Sequence, residues 1–175
     1  HVRSRRQRQM CIRDSGESLG IGSGSTVNIL IENLSKVKNK IRNVVSSSVK
    51  STELLEANGF EVSELRDVGR LTKYIDGADE VNKDLQMIKG GGGALTREKI
   101  LAHNSNQFIC IVDDSKKVDM LGKFPLPIEV IPLSRSSVSL ELIKHGGRPV
   151  LRENFLTDNG NAVSYTHLRA HETSL

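Results

Sequence analysis

Residues 19–34, LGIGSGSTVNILIENL, decide the fold. A short apolar run from Leu19 to Gly22 stops at a stretch of glycine and hydroxyl residues. Apolar residues then recur at the spacing of one helix face, at Val27, Ile29, Leu30, Ile31 and Leu34. This pattern predicts a strand, a tight glycine turn and a helix.

The same order of strand and helix recurs along the interior of the chain. Further strands are predicted at residues 44–45, 60–65, 74–75 and 108–112, and further helices at 52–57 and 94–103. The helix over 52–57 should end at Asn58-Gly59, which suits a left-handed cap. Such alternation predicts an α/β fold, a Rossmann-like parallel sheet with helices on both faces.

The pattern changes after Pro125-Leu126-Pro127. A strand at 128–131, a helix at 136–145 and a strand at 149–151 precede a turn signal at 157–161, whose partner strand is cut off. We therefore expect an α/β domain over residues 16–127 and the start of a small, truncated α+β domain over residues 128–163.

The net charge of +4 lies at the amino end of the chain. Residues 1–15 hold five arginines against one aspartate, and the remainder is balanced, so no nucleic-acid partner is expected. Residues 1–15 and 164–175 lack apolar periodicity and look like translated sequencing-adaptor read-through. We expect both to be non-native segments. A basic nucleic-acid arm or an Arg-rich targeting peptide is the alternative for residues 1–15.

Composition excludes several classes of protein. No apolar run approaches the roughly 18 to 20 residues of a membrane span, so no membrane partner is expected. Cys11 and Cys110 are the two cysteines and cannot form a disulfide framework, which favours a reducing, cytoplasmic location.

The glycine turn predicts an anion site. Glycines let backbone N–H groups approach a phosphate, Ser23, Ser25 and Thr26 add hydroxyl donors, and the following helix adds positive potential. The alternative is a turn whose hydroxyls only cap the helix. A dinucleotide site is disfavoured because Val27 stands at the third glycine position and no acidic residue ends the second strand.

Acidic and basic residues follow other predicted strands. Asp76, Asp79 and Glu80 could do acid–base work or form a solvated turn, and the absence of nearby His or Cys pairs makes zinc improbable. Lys89 with the four glycines 90–93 suits a loop around a ligand, or else a flexible linker. Glu98 follows on the next helix, facing the same pocket or forming a surface charge. Lys116 could add a cation for an anionic substrate.

Other reactive residue types have plainer interpretations. Cys110 lies in an apolar strand and is expected to be a core residue. His103 and His145 lie near helix ends and are expected to have surface or capping roles.

Five segments resemble ribose-5-phosphate isomerase of the A type. They are GIGSGSTV (20–27), YIDGADEVN (74–82), LQMIKGGGGALTREKI (85–100), FICIVDDSKKVDMLGKFPLPIEVIP (108–132) and TDNGN (157–161). The resemblance covers nearly all of residues 16–163. The run from Tyr74 to Ile100, joined to KFPLPIEV, is its most specific part.

The resemblance implies interconversion of D-ribose 5-phosphate and D-ribulose 5-phosphate in the cytoplasm by a homodimer, without metal or organic cofactor. It assigns Glu98 as the proton-abstracting base. The implied substrate-binding residues are Ser23, Gly24, Ser25, Thr26, Asp76, Gly77, Ala78, Asp79, Lys89, Gly90, Gly91, Gly92 and Lys116. The family more often has Thr at the position of Ser23, a change that keeps the hydroxyl.

The implied chemistry requires these residue types. A carboxylate placed between C1 and C2 can carry the proton through an enediolate, and Lys89 with the glycine-loop amides can stabilise the developing charge. Asp76 or Asp79 should assist ring opening, and the choice between them stays open. The alternative function is a non-catalytic sugar-phosphate sensor of related fold, for which an acid–base set is unnecessary.

Overall fold

Residues 16–167 are described by the structure, which is a computed structural model. Within this range the chain forms two compact units. The first contains the described residues up to Gly77 together with Arg97–Ile111. The second contains Ala78–Thr96 and the described residues from Val112 onward. The domain boundaries expected from the sequence, at residues 127 and 163, stay a prediction.

The described strands and helices are numbered in chain order. The strands are β1 (Glu17–Ile21), β2 (Ile41–Ser46), β3 (Leu71–Asp76), β4 (Glu80–Val81), β5 (Met87–Ile88), β6 (Ser105–Cys110), β7 (Leu126–Val130), β8 (Val150–Leu151) and β9 (Ala162–Thr166). The helices are α1 (Ser25–Leu34), α2 (Val49–Ala57), α3 (Leu65–Val68), α4 (Thr96–His103) and α5 (Arg135–Lys144). No helix within residues 16–167 is long and apolar enough to cross a bilayer.

The first unit is built on a four-stranded parallel sheet in the order β2-β1-β3-β6. Successive side chains of a strand point to opposite faces of the sheet, so these strands present apolar side chains on both faces. On one face Ile21 packs with Ile31 of α1 and Leu55 of α2. On the other, Tyr74 packs with Leu101 of α4. The predicted parallel α/β sheet with helices on both faces is confirmed.

One local prediction differs from the structure, and one local feature was not predicted. The strand predicted at 60–65 forms one isolated bridge, between Val62 and Val44, and a short helix begins at Leu65. Polar residues at 61, 63 and 64 leave the segment with too little apolar side chain to make a full strand. The antiparallel pair β4-β5 was not predicted, because two residues per strand are too few to show alternation.

The second unit contains an antiparallel sheet in the order β7-β9-β8, with α5 following β7 in the chain. In this sheet Leu126 pairs with Thr166 and Val130 pairs with Ala162. Strand pairing therefore reaches Ser164–Thr166, within the segment that the sequence analysis set apart from the fold. Backbone hydrogen bonds make these pairs, and they depend little on residue type.

Glu129 of β7 ties the second unit together. Its Oε1 accepts hydrogen bonds from the Thr157 hydroxyl at 2.7 Å and from the side-chain amides of Asn159 at 3.1 Å and Asn161 at 2.9 Å. Its Oε2 accepts the backbone N–H of Thr96 at 3.0 Å. Partial burial acts to raise the pKa of Glu129, but hydrogen bonds from the side chains of Thr96, Thr157 and Asn161, with a smaller effect of the Thr96 backbone N–H, outweigh it and lower the pKa to about 2.

Acid is expected to weaken this network. Because the folded-state pKa lies below the unfolded value, Glu129 contributes stability above about pH 4.5 that is lost as the pH falls towards 2. At neutral pH, Glu129→Gln should lower the free energy of unfolding by about 1.5 to 3 kcal/mol. Thermal melts at several pH values test this, with the exposed Glu153→Gln as control. An equal acid dependence in both variants would contradict the prediction.

Candidate active site

Asp76 ends β3, at the sheet edge where ligands bind in parallel α/β proteins. Its side chain is almost fully buried, at 1% exposure. Oδ1 accepts the backbone N–H groups of Gly77 at 2.7 Å and Ser23 at 3.1 Å, and Oδ2 accepts the Tyr74 hydroxyl at 2.5 Å. A buried carboxylate needs such donors to replace water. Asp76 therefore does not belong to a solvated acidic turn.

Glu98 lies in the first turn of α4 and is also buried, at 5% exposure. Its Oε1 accepts a hydrogen bond from the Ser23 hydroxyl at 2.8 Å. Ser23 thus contacts Asp76 through its amide and Glu98 through its hydroxyl. We call Ser23, Tyr74, Asp76 and Glu98 the carboxylate cluster. Three of its members were predicted site residues, and the burial of Glu98 excludes the surface-charge alternative.

Tyr74 is the member that sequence reasoning missed. An aromatic residue in a strand is usually a core residue, and Tyr74 is indeed fully buried and stacked on Phe108 at 5.5 Å between ring centroids. Burial raises the pKa of its hydroxyl far above the ordinary value, and the charges of Asp76 and Glu98 raise it further. The only sequence signal was the spacing of Tyr74 two residues before Asp76, on the same face of the strand.

The Tyr74 hydroxyl is expected to stay protonated for as long as the chain is folded. In the unfolded chain a tyrosine ionises near pH 10, so stability is lost as the pH rises above about 10. The difference in absorbance at 295 nm between the wild type and Tyr74→Phe reports the ionisation of Tyr74. It should change only when the chain unfolds in alkali, which circular dichroism monitors. An earlier change would contradict the burial of this hydroxyl.

Two glycines, one in β1 and one directly after it, make room for the cluster. Gly20 pairs with Tyr74 across the sheet, and a Cβ on Gly20 would lie 2.9 Å from the Tyr74 ring. A Cβ on Gly22 would lie 2.0 Å from both Cγ and Oδ1 of Asp76. The Asp76 carboxylate therefore leaves no room for a side chain at position 22. The sequence had suggested a different reason for this glycine, the approach of an anion to the backbone.

The predicted phosphate turn opens α1. Gly24 is the N-cap, with φ of 101°, and no side chain within the described residues caps the helix. Ser25 is exposed and Thr26 half-buried in the first turn. The alternative in which hydroxyls cap the helix is thus absent from the described part. The first backbone N–H groups of a helix lack intrahelical acceptors and carry positive potential.

The remaining predicted site residues belong to the second unit. There, Asp79 Oδ2 accepts the backbone N–H of Gly91 at 2.8 Å. A Cβ on Gly91 would lie 2.6 Å from Asp79 and 2.7 Å from Phe124, and one on Gly93 would lie 2.2 Å from Phe155. The four-glycine stretch is therefore a packed loop, and the linker alternative is wrong.

Other predicted residues of the second unit differ in exposure. Ala78, Lys89 and Lys116 are half-buried, Gly90 is buried and Gly92 is exposed. Glu80, which was grouped with the acidic turn, is 3% exposed and accepts the backbone N–H groups of Gly122 at 2.8 Å and Phe124 at 2.5 Å. Glu80 therefore has a structural role, because it holds the backbone of the segment from Gly122 to Phe124.

Metal sites and cavities add no further candidates. Among residues 16–167 no group of three or more His, Cys, Asp or Glu could hold a metal ion. Two cavities of about 490 and 270 Å³ in the second unit are lined by residues between 130 and 164, and neither contains a predicted site residue. Cys110 is half-buried at the end of β6.

Comparisons with known proteins agree with one another. A family model described as ribose 5-phosphate isomerase A (phosphoriboisomerase A) matches residues 43–174. Ribose 5-phosphate isomerase A from Neisseria gonorrhoeae is 49% identical, with a TM-score of 0.84 over 92% of this chain and 72% of that chain. The enzyme from Methanocaldococcus jannaschii is 32% identical, with a TM-score of 0.84 over 95% and 78%. A D-ribose-5-phosphate isomerase in complex with phospho-erythronic acid is 32% identical, with a TM-score of 0.82 over 92% and 76%.

Proposed function

Because the chain belongs to the ribose 5-phosphate isomerase A family and is therefore an aldose–ketose isomerase, we propose that it interconverts D-ribose 5-phosphate and D-ribulose 5-phosphate with Glu98 as its base. The supporting observation is the buried Glu98 carboxylate, which Ser23 holds within the carboxylate cluster. The alternative, a non-catalytic sensor, is not what the family match supports.

Glu98 takes the proton from C2 of the open-chain aldose and returns it to C1. The electron pair of the broken C–H bond forms the enediolate, a proton passes from the C2 oxygen to the C1 oxygen, and the protonated carboxyl then gives its proton to C1, so one group is base and acid in turn. Burial favours this role, because a carboxylate with few water contacts keeps its orientation and exchanges its proton slowly.

Charge on the enediolate oxygens needs fixed donors. We assign this role to Lys89 and to the backbone amides of Gly90 and Gly92, with Gly91 lining the sugar, on the strength of the matching motif and of the packing around the glycine loop. Asp79 supports the loop by accepting the Gly91 amide.

Phosphate binding is assigned to the turn at the start of α1, with Gly24, Ser25 and Thr26, and to Lys116. The backbone amides at the start of the helix support this assignment, as do the hydroxyls of Ser25 and Thr26, neither of which caps the helix. Binding energy from the phosphate, remote from the reacting carbons, then orients the sugar for proton transfer. In the described state the Ser23 hydroxyl is directed to Glu98, so Ser23 serves the base more directly than the phosphate.

Ring opening is assigned to the segment Asp76–Asp79, which includes Gly77 and Ala78 as sugar-lining residues. Asp76 has both oxygens engaged by hydrogen bonds, whereas the described contact of Asp79 uses Oδ2. Both aspartates remain candidates.

We further propose, from the family resemblance alone, that the protein acts in the cytoplasm and that it forms a homodimer. Light scattering of the purified chain would test the dimer.

The test is conversion of ribose 5-phosphate followed by NMR in deuterated water. We expect ribulose 5-phosphate to form, with deuterium entering at C1 to the extent that the protonated base exchanges with solvent. Phospho-erythronic acid carries a phosphate and a carboxylate, so it places negative charge where the enediolate develops, and it should inhibit competitively. A folded chain that neither converts the sugar nor binds this acid would refute the proposal.

A further inference from the structure

We propose that Tyr74 is a positioning residue for the isomerisation: its hydroxyl fixes the Asp76 carboxylate, which holds the Ser23 amide, whose side chain in turn orients Glu98. The inference rests on the proposed role of Glu98 as base. It adds a residue that the family resemblance did not assign to the site.

The contacts form a continuous chain within the first unit. Tyr74 donates its hydroxyl to Asp76 Oδ2 at 2.5 Å, Asp76 Oδ1 accepts the Ser23 amide at 3.1 Å, and Ser23 donates its hydroxyl to Glu98 at 2.8 Å. Tyr74 is fully buried, and Asp76 and Glu98 are at least nine-tenths buried. The link from Tyr74 to Asp76 is therefore shielded from water, where hydrogen bonds to charged groups are strongest, and the two links through the half-buried Ser23 are partly shielded.

The ring of Tyr74 is fixed independently of its hydroxyl. Phe108 stacks on it at 5.5 Å between centroids, and Gly20 lies opposite it with no side chain in the way. Removing the oxygen should leave the ring in place and deprive Asp76 of one donor. Asp76 then keeps the two amides on Oδ1 but loses the hydrogen bond that fixes Oδ2, so the acceptor of the Ser23 amide is held less firmly.

A second hydroxyl lies beside this chain. Ser47 is 1% exposed, and its Oγ has no hydrogen-bond partner among the described residues. Ser47 lies near enough to Tyr74 to oppose part of the rise in the pKa of that hydroxyl. The polar surroundings of Tyr74 thus continue beyond Asp76, which an aromatic residue serving only to fill the core would not require.

The variant Tyr74→Phe should lower kcat about 10- to 100-fold, because small displacements of a base have effects of this size. KM should change less than about twofold, since the phosphate ligands are untouched. Rates are expressed per binding-competent molecule, counted by titration with phospho-erythronic acid. Thr72→Val is the matched control, because it removes a hydroxyl of the same strand that accepts the Ser18 amide. It should retain the wild-type kcat.

A double-mutant cycle separates positioning from general destabilisation. If Tyr74 acts through Asp76, adding Tyr74→Phe to Asp76→Asn should lower kcat by much less than it does in the wild type. Equal factors in the two backgrounds, or a wild-type kcat in Tyr74→Phe, would overturn the inference. Inactivity of the wild type and of Thr72→Val would instead refute the proposed function.

A measurement that keeps Tyr74 covers the case in which Tyr74→Phe does not fold. The chain has two tyrosines, so 3-fluorotyrosine gives two fluorine resonances, and Tyr165→Phe identifies the one from Tyr74. Saturating phospho-erythronic acid should shift the Tyr74 resonance, because the ligand engages the loop that Asp76 holds. A Tyr74 resonance unchanged by the bound ligand would overturn the inference.

Discussion

Replacing Glu98 by glutamine is expected to lower kcat for ribose 5-phosphate by about 10²- to 10⁴-fold, the range for loss of a general base. Glutamine has nearly the same shape, and its side-chain oxygen can still accept the Ser23 hydroxyl that Glu98 accepts at 2.8 Å. The amide cannot take a proton from carbon. KM and thermal stability should therefore change little, which distinguishes a lost base from a lost fold.

The matched control for this change is Glu141→Gln. Glu141 is an exposed residue of α5 that pairs with Lys144 at 3.0 Å, so it loses the same charge without touching the carboxylate cluster. Its kcat should match that of the wild type. Deuterium incorporation, read by NMR, should disappear with conversion in Glu98→Gln. A variant that still isomerises within tenfold of the wild type would remove Glu98 from the role of base.

Gly22→Ala is expected to damage both stability and activity. Its Cβ would lie 2.0 Å from Asp76 Cγ, a distance at which one group must move. Overpacking of this kind costs about 1 to 3 kcal/mol of unfolding free energy. The displaced carboxylate would also release the amides of Ser23 and Gly77, so activity per folded molecule should fall as well.

Gly77→Ala gives the comparison for stability. The nearest atom to its added Cβ is the Ile111 carbonyl oxygen at 3.7 Å, an ordinary contact. Chemical denaturation should therefore show a clearly smaller loss for Gly77→Ala than for Gly22→Ala. Equal losses would mean that the strain arises from loss of glycine in general and not from the approach of Asp76.

The layered fold could be predicted from the sequence because alternating apolar runs record which side of a strand or helix is buried. The segment at 60–65 misled because Phe60 is a buried core residue in a stretch that pairs only at Val62. The hairpin at Glu80–Ile88 left no pattern, since its strands are two residues long. Short elements are held by contacts distant in sequence, which periodicity does not report.

The residues of the carboxylate cluster could largely be predicted, but their connections could not. Acidic residues after a strand suggested acid–base work, and the structure adds that Asp76 and Glu98 are both buried and joined through Ser23. Tyr74 was missed because its ring fits the core pattern and only its oxygen is polar. Gly22 was noticed for a different reason, since composition cannot tell a glycine needed by a ligand from one needed by a neighbouring side chain.

The fit between Gly22 and Asp76 also constrains how this sequence can change over generations. Only a lineage that replaced Asp76 by glycine would free position 22 to acquire a side chain, because the three atoms nearest to an added Cβ all belong to the Asp76 side chain, its own Cβ included at 2.6 Å. Once that has happened, restoring the aspartate alone produces a clash, and both positions must revert for the ancestral arrangement to return. Loss of the carboxylate could then not be reversed by one substitution at a time, because the Cβ at position 22 would clash with the restored aspartate.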